Sequence, residues 1–422
     1  MEVVKTTTGE QLYQKVLDNG LRVYVMTKPG FQKKYAVFST KYGSFDSKFK
    51  LNNEIIEVPD GIAHFLEHKL FEDQEMHVFE RFAQYGASVN AYTSYTMTSY
   101  LFSTIEYFDE AFQELLSFVQ KPYFTSENVE KEKGIIEQEL KMYEDHPDRK
   151  IYNNLLEALY HVHPIRIDVG GTVESIQKIT VDLLNMCYET FYQPSNMAVF
   201  VIGDLEPTRV FDLAAEHTVN WFFKFQEIQR IYPEEPVEIL KPSVEERLSV
   251  SRPRYYLGFK NQPYNAGRAL MKQQLAMSMI WRTIAARSSP VYQELYSSGL
   301  IDESFGASFS ATPEYALSIV GGETDQPEKL DQRLRQAIQD LQKNKLQVAD
   351  VERMKRRALG NYLASFNSLE YIANSFLSHE FNGTSILDFP QILEEITVDE
   401  INEMLNDGLD LKNSAVSILL PE

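Results

Sequence analysis

The tetrapeptide Ile-Thr-Val-Asp occurs twice in the chain, at residues 179–182 and again at 396–399, an offset of 217. Its surroundings repeat as well. ESIQKITVDLLNMCYETF stands beside PQILEEITVDEINEMLND, and each is followed by a strand-like run, NMAVFVIGDL and NSAVSILLPE. Upstream, SENVEKEKGII pairs with VADVERMKRRA, with Val129 opposite Val351 at an offset of 222. One four-residue match carries little weight, but three blocks in the same order read as a duplication. Whatever the first half folds into, the second half must approximate. At 422 residues the chain also exceeds what one hydrophobic core ordinarily organises.

Each half runs strands, then helices, then a closing strand. In the first, LRVYVMTK, YAVFSTKYGS and SYTMTSYLFSTI read as β. FDEAFQELLSFVQ and NVEKEKGIIEQELKMYEDH have helical spacing, with Pro147 just beyond the latter. The second half offers the strand PRYYLGFK, a long helix near AGRALMKQQLAMSMIWRTIA and the strand YALSIVGGET. The connection falls near residues 225–244, where YPEEPVEILKPS carries proline and charge with little periodicity. The expected fold class is therefore α+β. Two homologous α/β domains stand in tandem, the first over residues 1–228, a linker over 229–243 and the second over 244–422.

Charge and cysteine content narrow the function classes. The balance of 41 basic against 61 acidic residues, −20, argues against a nucleic-acid partner. Cys187 is the single cysteine, which removes intrachain disulfides and thiolate zinc sites. The N-terminal MEVVKTTTGEQLYQK lacks the apolar core of a signal peptide, and no run approaches the ~20 apolar residues of a membrane span. A cytoplasmic protein is the expectation.

The stretch GIAHFLEHKLFE, residues 61–72, places His64, Glu67 and His68 within five positions, in a chain with eight histidines. On a helix, positions i and i+4 lie one above the other, so the two imidazoles can hold one metal ion with Glu67 close to the same face. A third ligand must come from elsewhere. The helix VEKEKGIIEQELKMYE presents Glu132 and Glu139 seven apart, two turns along one face. Glutamates on a charged helix are ordinarily just solvated. His161 and His163 would share one face of a strand, but no further ligand stands beside them and Pro164 follows at once. His77, His146, His217 and His379 have no suitably spaced partner.

The inverted His-x-x-Glu-His motif, followed by a glutamate-rich helix, resembles the M16 (insulinase/pitrilysin-like) metallopeptidases. The flanks NGLRVYV, YGASVNAYTSYTMTSY, HPIRIDVGGTVESIQKIT and YETFYQPSNMAVFVIGDL extend the likeness over nearly the whole chain. It is similar in particular to a bacterial two-domain subgroup in which Lys69 follows the motif in place of the commoner Met. The resemblance implies one zinc ion on His64, His68 and Glu139, with Glu67 as general base and Glu132 orienting the ligands. Glu137 and Glu144 are the rival ligands; Glu137 breaks the two-turn relation to Glu132, and Glu144 lies beyond it. It further implies that Asn90 and Ala91, in ASVNAYTS, bind a peptide substrate as an added strand. Each chain would form half of a clam-shell chamber.

The second half departs from the family. It has no second His-x-x-Glu-His, and its only histidine is His379. Many relatives carry there an Arg and, seven positions on, a Tyr that contact the substrate carbonyl. The matching stretch YQELYSSGLIDESFG has Tyr296 and Ser297 near the Arg slot and Ile301 or Asp302 at the Tyr slot, and residues 288–328 contain no Lys or Arg. The implied donors would come from a paired M16 homologue in a heterodimer, or in a homodimer from a residue such as Arg282 or Arg287. The expected activity is a zinc-dependent endopeptidase acting on short or unfolded peptides. The alternative is a catalytically silent M16-fold subunit of a larger complex. Such subunits generally lose motif residues, and here the three ligands and the base are all present. A purely structural zinc site would need a filled fourth position, for which no cysteine or nearby histidine exists.

Overall fold

The computed structural model describes residues 2–6, 9–51, 53–74, 76–219, 221 and 225–422. The first half opens with strands β1 (Glu2–Lys5), β2 (Gln11–Val16), β3 (Arg22–Thr27) and β4 (Lys34–Thr40). A short pair, β5 (Lys48–Leu51) and β6 (Glu54–Glu57), precedes helices α1 (Ile62–Lys69) and α2 (Val78–Gln84). Strands β7 (Ser88–Thr93) and β8 (Thr98–Thr104) lead into α3 (Phe108–Val119), α4 (Ser126–Glu144) and α5 (Pro147–Leu159). Helices α6 (Val173–Ile176) and α7 (Val181–Phe191), strand β9 (Met197–Gly203), α8 (Pro207–Thr218) and β10 (Gln229–Arg230) complete it.

The second half begins with β11 (Ser243–Leu248) and β12 (Arg254–Asn261), then α9 (Arg268–Ala285) and α10 (Pro290–Ser297). Strands β13 (Gly306–Ala311) and β14 (Ala316–Glu323) are followed by α11 (Pro327–Asn344), α12 (Val348–Ser365) and α13 (Leu369–Phe381). Helices α14 (Phe389–Glu395) and α15 (Val398–Gly408) precede the closing strand β15 (Ser414–Pro421).

Sheet topology bears out the duplication. The first large sheet has the order β1-β2-β3-β9-β4-β8-β7 and the second β11-β15-β12-β14-β13. Each closing strand inserts into its sheet, β9 parallel to β3 and antiparallel to β4, β15 parallel to β11 and antiparallel to β12. An inserted strand is buried on both faces, which explains the unbroken apolar run Met-Ala-Val-Phe-Val-Ile of β9. The capped helix starts recur as well: Thr180 and Thr397, the threonines of the two ITVD copies, each accept a hydrogen bond from the backbone N–H three residues on.

The chain forms two compact units that do not follow its linear order. One comprises Met1–Leu140, Ile167–Tyr232 and Leu363–Phe381, the other Lys141–Arg166, Pro233–Tyr362 and Asn382–Glu422. Helix α13, from the second half, thus belongs to the first unit, where it packs on β4 and β9. Its Glu380 pairs with Arg22 at 2.7 Å and accepts from the Tyr24 hydroxyl at 2.8 Å. Its Asn374 accepts from the Tyr92 hydroxyl and donates to that of Tyr35, both at 2.9 Å. Helix α5, at the equivalent place in the first half, packs on β11, β12 and β15 of the other unit. Gly258 of β12 permits this approach, because a Cβ there would lie 2.8 Å from a methyl carbon of Leu155.

Candidate active site

Backbone packing, more than helix propensity, sets the start of α1. Gly61 has φ +86°, a left-handed conformation that any side chain disfavours. A Cβ on Gly61 would stand 2.3 Å from the Gly170 carbonyl oxygen, and one on Gly171 2.4 Å from that of Asp60. The two segments therefore meet backbone to backbone, and the Ser175 hydroxyl donates to the Asp60 carbonyl at 2.7 Å. Burial of Ile62, Ala63, Phe65 and Leu66 fixes the helix rotation. His64 and His68 consequently emerge one above the other, ring centroids 4.5 Å apart.

Helix α4 brings the third donor. Glu139 Oε1 lies 3.9 Å from His64 Nε2, and its Oε2 3.6 Å from His68 Nε2. One donor atom from each of the three side chains falls within 4.8 Å of the others, the only such group among the described residues. Zinc binds imidazole nitrogen and carboxylate oxygen at about 2.0–2.2 Å, so tetrahedral ligands stand roughly 3.3 Å apart. The cluster needs only a small contraction to match, and its donor set suits zinc. Neither rival joins it: Glu137 accepts from Gln177 Nε2 at 3.3 Å, and Glu144 is exposed at the end of α4.

Glu132, one of the most buried carboxylates of the chain, places Oε1 3.0 Å from His68 Nδ1. An imidazole that offers Nε2 to a metal carries its proton on Nδ1, and Glu132 is positioned to accept that hydrogen bond. Burial opposes a charge on His68, but the Glu132 hydrogen bond and the charges of Glu67, Glu132 and Glu139 outweigh it and raise its pKa.

Glu67 sits on the same helix, 7% exposed. The Thr93 hydroxyl, at the end of β7, donates to its Oε2 at 2.7 Å and leaves Oε1 for another partner. Burial pushes the Glu67 carboxyl above its ordinary range; the Thr93 hydrogen bond and His68 pull it back, and Glu139 adds to the rise. A carboxylate made more basic in this way suits proton abstraction near neutral pH. Thr93 and the Gly61/Gly170/Gly171 contact are site features that motif reasoning missed. Their one visible signal is that each falls in a stretch flanking the motif, YGASVNAYTS and DVGGT.

Strand β7 is an outer strand of its sheet, paired among the described residues only with β8. Asn90 is exposed on it, and its Oδ1 accepts from the Ala91 backbone N–H at 2.9 Å.

The strand expected around His161 and His163 is not formed. The segment between α5 and the short turn Pro164–Arg166 is a bend in which the Glu235 carboxylate accepts from the backbone N–H groups of His161, Val162 and His163, at 2.7–2.8 Å. The proline and the three converging amides stabilise a turn around an anion in place of a ladder. In the second half, an offset of 222 sets Met354 and Asn361 opposite Glu132 and Glu139, so the ligand helix has lost its carboxylates. At the donor slots, Ile301 is buried and Asp302 is engaged by Arg252 at 2.6 Å. Arg287 reaches Glu303 at 3.9 Å on the surface, and burial together with Arg357 lowers the pKa of Arg282. No helix among the described residues is long and apolar enough to cross a membrane.

Comparison with known proteins agrees with this geometry. The family model described as insulinase, peptidase family M16, matches residues 56–173, and the one described as peptidase M16 inactive domain matches 178–358. The chain is 40% identical to the uncharacterized zinc protease YmfH of Bacillus subtilis, covering 98% of this chain and 97% of that one. A crystal structure of an M16-like peptidase from Alicyclobacillus acidocaldarius superposes with a TM-score of 0.96 at 36% identity, over 99% of this chain and all of the other. The first half of the periplasmic protease PqqL from Escherichia coli has the same fold, with a TM-score of 0.76 at 18% identity, over 99% of this chain and 93% of that one. This last likeness, to a protease of the periplasm, overturns the expectation of a cytoplasmic protein, which rested on one cysteine and a polar N-terminus.

Proposed function

We propose, from the premise that the chain belongs to the M16 (insulinase) family of metallopeptidases, that His64, His68 and Glu139 hold its zinc ion and that Glu67 is the general base. The protein is a zinc-dependent endopeptidase. The observation that carries the assignment of roles is the convergence of the three donors within 4.8 Å beside the buried Glu67. Zinc, when bound, supplies Lewis-acid polarisation of the scissile carbonyl and lowers the pKa of water. Glu67, held by Thr93, accepts the proton from the attacking water and delivers it to the leaving amine. Glu132 keeps the His68 ring in the tautomer that offers Nε2. Glu67→Gln should retain about one equivalent of zinc and lose hydrolysis by roughly two to four orders of magnitude. Stoichiometric zinc with undiminished turnover would refute the role.

The open edge of β7 supports binding of the substrate as an added strand along Ser88–Thr93, where Asn90 would release the Ala91 N–H to a substrate carbonyl. Selection then depends on length and lack of structure more than on sequence, so an unfolded polypeptide is cut and its folded form resists. Equal cleavage of both would contradict it. The working enzyme we take to be a heterodimer with a homologous chain carrying the carbonyl donors, because residues 288–328 offer no cation and Asp302 is already paired. Full activity of the isolated zinc-loaded chain, unchanged by the homologue, would leave a homodimer as the alternative.

A further inference from the structure

Among the described residues, Lys69 is the least exposed charged side chain, at 0%. Its Nζ lies 2.5 Å from Glu72 Oε2 and 3.8 Å from Glu132 Oε2, and it donates to the Asn128 carbonyl at 3.1 Å. Both Glu132 and Asn128 belong to α4, the helix that supplies Glu139. An apolar residue would fill this space without the cost of burying an ammonium group. The ammonium is retained where a second buried charge, Glu132, stands between it and a ligand ring. Two carboxylates share this one cation, so the group carries a net negative charge, and Glu132 Oε1 turns that charge towards His68 Nδ1 at 3.0 Å.

The geometry points to Lys69 as a positioning residue of the metal site. Its buried ammonium balances the Glu132 carboxylate and holds it against His68 Nδ1, so that the ring presents Nε2 towards Glu139. The Asn128 contact adds a direct tie between the motif helix and the ligand helix. This inference rests on the proposed zinc site, and it differs from an ordinary core ion pair in one respect. An ordinary pair would stabilise the contact of α1 with α4 without acting on metal affinity through Glu132.

The experiment is a double-mutant cycle on the full chain with Lys69→Met, Glu132→Gln and both together. Zinc affinity is read by competition with a chromophoric chelator, and the thermal midpoint of the zinc-free protein is read alongside. Lys69→Met should weaken zinc binding about tenfold in the otherwise unaltered chain, as loss of a partner behind a ligand does. In the Glu132→Gln background the same change should leave zinc affinity within twofold. An equal loss in both backgrounds, or a lowered midpoint with unchanged zinc affinity, overturns the inference. If Lys69→Met cannot fold, the double variant decides. Recovery of folding when Glu132 is also neutral supports charge balance, and failure of both overturns it. Absence of stoichiometric zinc from the unaltered protein would instead overturn the metal site and this inference with it.

Discussion

Replacing Thr93 with valine removes one hydroxyl and keeps the β-branched shape that the end of β7 requires. The hydroxyl donates to Glu67 Oε2 at 2.7 Å, and Glu67 is 7% exposed, so water cannot readily take its place. A hydrogen bond to a charged group contributes about 1.5–3 kcal/mol. If the bond fixes the base in the geometry of proton transfer, its whole value is lost from the barrier, which corresponds to roughly a 10- to 150-fold fall in kcat. KM should stay within about twofold, since substrate would pair with the backbone of β7, which valine leaves in place. Zinc content should also be unchanged, because no ligand atom is touched. The assay is steady-state cleavage of an unstructured fluorogenic peptide, with metal analysis on the same preparation. A kcat within twofold of the parent, at full zinc occupancy and unchanged thermal midpoint, would refute the claim that Thr93 positions the base.

Two further outcomes follow from the surroundings of the site. Gly61→Ala forces a side chain into φ +86° and against the Gly170 carbonyl at 2.3 Å, and should lower stability by roughly 3 kcal/mol; an unchanged denaturant midpoint would contradict the backbone contact. Burial lowers the pKa of His163 from its ordinary 6.5 to about 4, with Glu235 opposing the shift and Lys260 reinforcing it. The unfolded chain therefore binds the proton first, so stability is complete above pH 6.5, falls as pH drops towards 4 and then levels, by about 3 kcal/mol for this group. In His163→Asn that part of the acid loss should vanish when unfolding is measured across the window, and an identical pH dependence would show that folding does not lower the His163 pKa.

The parts of the site that were legible in the sequence share a local geometry. His64, Glu67 and His68 fall on one helix, and Glu139 is two turns from Glu132, so helical periodicity alone puts each pair on a common face. The long-range partners were not legible in the same way. Thr93 lies 26 residues from Glu67, and the contact depends on α1 packing against β7. Gly170 and Gly171 answer to Asp60 and Gly61 more than a hundred residues away, and a glycine pair announces a close approach without naming what approaches. The strand expected at His161 and His163 failed for the same reason: its amides turn towards Glu235, some 70 residues on. The duplication was legible because it is a comparison of the chain with itself. The insertion of β9 and β15 inside their sheets, and the assignment of α5 and α13 to units built largely from the other half, are decided by tertiary packing alone.

The placement of α13 has a consequence for how the protein is made. Strands β4 and β9 are translated by residue 203, yet the helix that packs on them ends at Phe381. A nascent chain that has released the entire metal motif and its ligand helix still exposes an apolar sheet face while nearly two hundred more residues emerge. At about 5–20 residues per second that interval is on the order of ten to forty seconds, long compared with collapse or hairpin formation. The zinc ligands can thus be assembled well before the sheet beside them is covered. Early truncations of this chain should be recognised by chaperones and proteases as incomplete, even though every residue of the metal centre has already been translated.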